Sequence, residues 1–124
     1  MNDSNQASIN VVTHELNGCL IVPIQDELTI EDANKIQEAV LSRLHKQLSC
    51  GVIIDFSGVD IIDSALWDTF VKAVHMIKVM GSQAAITGLS PGIVAAIIDL
   101  NLDIGELNTR RSVEDAMDFL LSNH

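Results

Sequence analysis

The run Val52-Ile53-Ile54-Asp55-Phe56-Ser57, set off by Gly51, constrains the fold more than any other stretch of the chain. A strand with one wet face alternates apolar and polar residues, whereas one that is apolar at successive positions has to be covered on both faces. Such a strand belongs at the centre of a sheet. Downstream, Ser64 to Met80 carries apolar residues at helical spacing and stops at Gly81, and Gln83 to Thr87 (QAAIT) is again a short apolar run, ended by Gly88. Strand, helix and strand in that order predict a parallel α/β unit with a right-handed crossover.

The flanking sequence extends the pattern. After a polar lead-in over 1–8, Ile9 to Thr13 and Gly18 to Ile24 read as two strands joined through Asn17-Gly18, a strong signal for a tight hairpin. Ala33, Ile36, Val40, Leu44 and Leu48 recur at helical spacing and predict an amphipathic helix from Ile30 to Ser49, with Thr29 as N-cap and Asp32 three residues on. Ser90-Pro91 places a cap and a first-turn proline before a nearly all-apolar helix, Ile93 to Leu100. Glu106 to Thr109 suits an edge strand, and Ser112 with Asp115 caps a last helix ending near Ser122. The expectation is one α/β domain over 9–123: a mixed central sheet, an opening hairpin and about four helices. The apolar helix after Ser90 is covered either by the terminal helix or, failing that, by self-association.

The chain has 124 residues, 48% of them hydrophobic, enough for one core without metal or disulfide support. Its 17 acidic and 7 basic residues give a formal charge of -10, which opposes nucleic acid and anionic membrane as partners. The first residues have neither a basic start nor an apolar core, and no apolar run approaches the ~18 residues a membrane span needs, so a cytoplasmic protein is expected. Cys19 and Cys50 lie in apolar surroundings without metal-site spacing and read as buried free thiols. His14, His45, His75 and His124 are scattered, and no metal or cofactor is expected.

Chemistry can reside where the central strand runs out. On a helical wheel begun at Ser64, the residues Ser64, Asp68, Lys72, His75 and Lys78 fall within an arc of about 120°, and the apolar residues lie opposite. That geometry puts the Ser64 hydroxyl at the head of a solvent stripe. It also sets the hydroxyl beside the unpaired N–H groups of a first turn, where the helix dipole favours a phosphate. Ser64 or Asp63 can equally serve as a plain N-cap. Trp67 and Val71 edge the stripe; with Asp68 and Lys72 they form a candidate docking face for a partner, or they pack against the next loop.

Asp-x-Ser-Gly-Val (Asp55 to Val59) followed by Asp-Ser-small-Leu (Asp63 to Leu66), with Gly-Leu-x-Pro (Gly88 to Pro91) one strand later, resembles the STAS domains of anti-sigma-factor antagonists and stressosome proteins. The segments VIIDFSGVDIIDSA and MGSQAAITGLSPGIVAAIIDLNL look most like the stressosome scaffold type, RsbS. The resemblance runs from CLIVPIQDEL to the terminal helix. It implies a non-enzymatic phospho-switch in which Ser64 is phosphorylated by a serine kinase of the RsbT type, and a switch loop marked by Asp55, Asp60 and Asp63. It also implies partnership with a sensor paralogue of the RsbR type in a large assembly. The sensor type usually carries an acceptor threonine, and a second one early in the helix after Gly-x-x-Pro; here Ser64 and Ala96 stand at those positions, so the scaffold type fits better. A simple anti-sigma-factor antagonist is the alternative, although Ala65-Leu66 departs from its pattern.

Three rivals fit less well. A receiver phosphorylated on Asp55 needs an acidic pair after its first strand and a lysine after a late one, and the sequence offers His14-Glu15 and Thr87-Gly88 there. A hydrolase pairing Ser64 with His75 fails because eleven residues of helix separate them by about 16 Å. A nucleotide-binding STAS domain would need a phosphate-cradling glycine-rich loop, which is missing.

Overall fold

The computed structural model describes residues 13–46, 51–102 and 107–122. Along these the order is β1 (His14–Leu16), β2 (Cys19–Gln25), α1 (Ile30–Lys46), β3 (Gly51–Gly58), α2 (Ser64–Val79), β4 (Ala84–Thr87), α3 (Pro91–Asp99), β5 (Asn108–Arg110) and α4 (Val113–Ser122). The strands form one sheet in sequential order, β1-β2-β3-β4-β5. β1 is antiparallel to β2, and β2 to β5 run parallel. The apolar run anticipated as central is β3, flanked by two strands on either side and buried from Gly51 to Ile54.

Local chemistry sets most boundaries. Asn17 (φ 52°) and Gly18 (φ 83°) are both left-handed, as a two-residue hairpin turn requires, and the register closes Leu16 directly against Cys19. The first strand is therefore His14–Leu16; of the anticipated Ile9–Thr13 strand, only Thr13 falls within the described residues, and it is not in a strand. At the start of α1, the Thr29 N–H donates to Asp32 Oδ2 (3.1 Å) and the Asp32 N–H to Thr29 Oγ1 (3.0 Å), a reciprocal cap. Ser90 Oγ accepts from the Ile93 N–H at 3.2 Å, with Pro91 in the first turn of α3. Ser112 Oγ accepts from the Asp115 N–H at 3.2 Å to open α4.

Parallel strands added in one direction with right-handed crossovers bring their helices onto one face. Ile36 and Val40 of α1, Phe70 and Val74 of α2, and Ile93 and Ile97 of α3 accordingly share one core with Val22, Ile54 and Ile86 of the sheet. α4 packs alone on the opposite face, where Ala116, Met117 and Leu120 cover Cys19, Ile53 and Ala85. Being on the other side, α4 does not cover α3, and Val94 and Ile98 of α3 remain exposed. Cys19 is fully buried and disulfide-bonded, which corrects its reading as a free thiol; Cys50 lies outside the described residues.

Candidate functional site

The C-terminal ends of the parallel strands carry the site, and a knot centred on Asp55 shapes it. Asp55 Oδ1 accepts from the Ser57 N–H (3.2 Å) and from the Thr87 hydroxyl (3.0 Å), while Oδ2 accepts from the Ser57 hydroxyl at 2.9 Å. Thr87 is wholly buried, so its hydroxyl depends on this partner. Gly88 follows at φ 72°, and a Cβ there would stand 2.8 Å from Ser57 N and 2.9 Å from Asp55 Oδ1. The ends of β3 and β4 are locked together by contacts that tolerate no side chain at Gly88. Gly88→Ala is expected to cost about 2–4 kcal/mol, from the left-handed backbone and the backbone clash together. Urea unfolding checks this, and a midpoint equal to wild type would contradict it.

From the knot, the chain passes over the top of the sheet to α2. The Asp60 N–H donates to Asp26 Oδ1 (3.2 Å) in the loop after β2, and the Asp60 carbonyl accepts from Ser90 Oγ (3.0 Å) at the head of α3. Gly92 lies so close that a Cβ would meet this same carbonyl at 2.9 Å. The β3–α2 loop is thus clamped on both sides. Within it, Val59 and Ile62 point into the core, at 3% and 6% exposure, while Ile61 stands out at 79%.

α2 then begins at Ser64. Asp63 is its N-cap, with extended backbone and Oδ1 accepting from the Leu66 N–H at 2.8 Å. Because Asp63 performs the capping, the Ser64 hydroxyl is not used for it. Ser64 is exposed, and its side chain has no hydrogen-bond partner among the described residues. No acidic residue occupies the first turn of α2. Asp60 and Asp63, before Ser64 in the chain, and Asp68, one helical turn after it, are exposed carboxylates.

Of the candidate docking face, Asp68 and Lys72 are exposed as anticipated, but Trp67 (0%) and Val71 (5%) are buried. Trp67 packs against Phe56 with ring centroids 6.0 Å apart, and Phe70 meets the same ring edge-on at 5.3 Å. The apolar arc of α2 is turned toward these two residues and away from Ala65, Met76 and Met80, which are exposed although the wheel set them on the inner side. Trp67 and Val71 therefore present no surface to a partner, and the large apolar side chain exposed in the loop before Ser64 is Ile61. Among the described residues, no group of three His, Cys, Asp or Glu is arranged to hold a metal ion, and no helix is long and apolar enough to cross a membrane.

Comparison with known proteins follows the same lines. The STAS-domain family model matches residues 10–116. "RsbT co-antagonist protein RsbRA" of Bacillus subtilis is 24% identical over 94 residues, 76% of this chain and 34% of that protein. The chain thus spans about a third of the length of the curated relatives it matches. A Moorella thermoacetica RsbS carrying a serine-to-glutamate substitution superposes with a TM-score of 0.80 at 17% identity, over 93% of this chain and 97% of that one. A structure describing the architecture of the stressosome, "a signal integration and transduction hub", gives 0.76 at 18% identity, over 90% and 97% of the two chains. At such identities the structures attest the fold, which among the described residues is one sheet of five strands with four helices. The anti-sigma-factor antagonist SpoIIAA shares this fold as well, and the chain belongs to the STAS-domain family.

Proposed function

We propose that this protein is a cytoplasmic, non-enzymatic phospho-switch of the stressosome scaffold type, whose acceptor is the Ser64 hydroxyl. Unmodified, it holds a serine kinase of the RsbT type and associates with itself and with an RsbR-type sensor paralogue. Phosphorylated, it lets the kinase go. The observation that carries this reading is the position of Ser64: exposed, at the first turn of α2, with its hydroxyl left over because Asp63 is the cap.

The chemistry is a phosphoryl transfer performed by the partner. A bond forms between Ser64 Oγ and the γ-phosphorus of ATP, the bond to the β–γ bridging oxygen breaks, the hydroxyl proton passes to the kinase's base, and ADP leaves. This chain supplies an accessible nucleophile and a helix N-terminus whose N–H groups and dipole favour the new anion. Binding in the unmodified state draws on the exposed Ile61 and on Asp68 and Lys72 of α2. Asp55, Asp60 and Asp63 act as the frame of the loop: hydrogen bonds at Asp55 and Asp60 hold it to β4, to the β2–α1 loop and to α3, and Asp63 caps α2.

Gel filtration of the protein with an RsbT-type kinase tests the switch. One complex is expected without nucleotide, dissociating when ATP and Mg²⁺ are added; the Ser64→Ala complex is expected to persist. Absence of a complex, or equal release from Ser64→Ala, would refute the proposal.

A further inference from the structure

β2 and β3 leave the sheet side by side. Gln25 pairs with Gly58 in the parallel register, so the β2–α1 and β3–α2 loops start from neighbouring positions. The first of them turns at Asp26 and Glu27, and Glu27 is left-handed at φ 65°. A residue with a side chain adopts that conformation at a cost that glycine avoids, and such costs persist mainly where the backbone serves a site. What the turn achieves is reach: Asp26 Oδ1 accepts the Asp60 N–H at 3.2 Å, across 34 residues of chain.

Packing between the two loops is incomplete. Ile24, Glu27, Leu28, Ile61, Ile62 and Leu66 line a hollow of about 20 Å³, room for about one water. More of the tie between the loops therefore falls to the Asp26 bond. On the other side, the Asp60 carbonyl accepts from Ser90 Oγ, but Ser90 is also the cap of α3. Asp26 makes no other side-chain hydrogen bond among the described residues, so Asp60 is its one partner.

Only Ile61, Ile62 and Asp63 separate Asp60 from Ser64. Asp63 and Ser64 open α2, and helix ends are the part that frays unless the chain before them is held. In-line transfer needs the reacting atoms at about 3–3.5 Å, and a misplacement of about 1 Å can cost a hundredfold in rate. We infer that Asp26 is a positioning residue for phosphorylation of Ser64, holding the β3–α2 loop through the Asp60 N–H so that the hydroxyl meets a kinase-bound nucleotide in line. Given Ser64 as the acceptor, the reading on which this rests, Asp26 has to supply an accepting oxygen and not a charge.

Asp26→Ala removes the oxygen, whereas Asp26→Asn keeps a carbonyl and loses the charge. Both are made at an exposed position, and far-ultraviolet dichroism like wild type verifies the fold. Single-turnover phosphorylation, with an RsbT-type kinase in excess and ATP and Mg²⁺ present, yields a maximal rate and a half-saturating kinase concentration. Asp26→Ala is expected to lower the maximal rate roughly tenfold and to leave half-saturation nearly unchanged; Asp26→Asn is expected to behave like wild type. Without kinase, exchange of the Asp60 amide hydrogen, followed by NMR, is expected to quicken in Asp26→Ala and not in Asp26→Asn. An unchanged rate in Asp26→Ala would overturn the inference. So would equal loss in both variants, or a change confined to half-saturation, since either would make Asp26 a charged contact with the kinase. Wild type without phosphate on Ser64 would refute the acceptor reading and this role together, whereas normal labelling of wild type with an unaffected Asp26→Ala would refute this role alone.

Discussion

Ser64→Asp is expected to weaken binding of an RsbT-type kinase by tenfold to a hundredfold, about 1.4–2.7 kcal/mol, while Ser64→Ala binds like wild type. The asymmetry comes from where the charge arrives. Asp60, Asp63 and Asp68 lie within four residues of Ser64 and all three are exposed, so a surface that accepts this face has to match its existing charge. A further negative group must be desolvated in the contact or must break it, and unfavourable charge across an interface costs up to several kcal/mol. A phosphate, at about -1.5 to -2 near neutral pH, should exceed aspartate in effect. Alanine removes only a hydroxyl that has no hydrogen-bond partner among the described residues, so neither the loop nor the α2 cap is disturbed. Titration by calorimetry measures both variants; equal affinities for Ala and Asp would show that charge at this position does not control the complex.

Trp67→Ala is expected to cost about 3–5 kcal/mol, a large share of the roughly 5–15 kcal/mol that holds a domain together. The indole is fully buried and joined to Phe56, which in turn meets Phe70, so truncation opens a cavity between the central strand and α2. A fall in Tm of roughly 10–20 °C follows for a chain of this size. Trp67→Phe retains most of the volume and should lose far less. If the role of Trp67 were to touch a partner, the order of effects would be reversed: Ala would fold with near-normal stability and fail to bind. Scanning calorimetry of both variants, with kinase binding measured on Trp67→Phe, distinguishes the two roles.

The difference between these two residues also marks how far sequence reasoning reaches. Short-range chemistry was legible at four turns and caps, though not in the Asp55–Ser57 bonds or in the choice of Asp63 over Ser64 as the α2 cap. The Asn17-Gly18 turn, the Thr29–Asp32 reciprocal cap, the Ser90-Pro91 helix start and the Ser112–Asp115 cap each appear as the local rules require. The central position of β3 was legible too, since a strand apolar on both faces has nowhere else to go. The phase of α2 was not. A wheel fixes the relative angles of side chains, but the direction of the core comes from Phe56 and the sheet, and that turned Trp67 and Val71 inward and Ala65 outward.

Long-range hydrogen bonds left no trace in the chain at all. Asp60 meets Asp26 and Ser90 across 34 and 30 residues, and no spacing rule pairs them. Ile61 and Ile62 are chemically identical neighbours, yet exposure separates them at 79% and 6%, because the clamped loop allows only one to face the core. α4 was anticipated as a possible cover for α3, but it follows the last strand and fills the face that the crossovers leave open. The disulfide at Cys19 went unread because composition speaks to compartment, not to which sulfur finds a partner.

The switch depends on one oxygen. Incubation of the purified protein with an RsbT-type kinase, ATP and Mg²⁺, followed by mass-spectrometric mapping, should find a single phosphate on Ser64 and none in Ser64→Ala. Stoichiometric phosphate on another residue in the wild type, or undiminished labelling of Ser64→Ala, would contradict it.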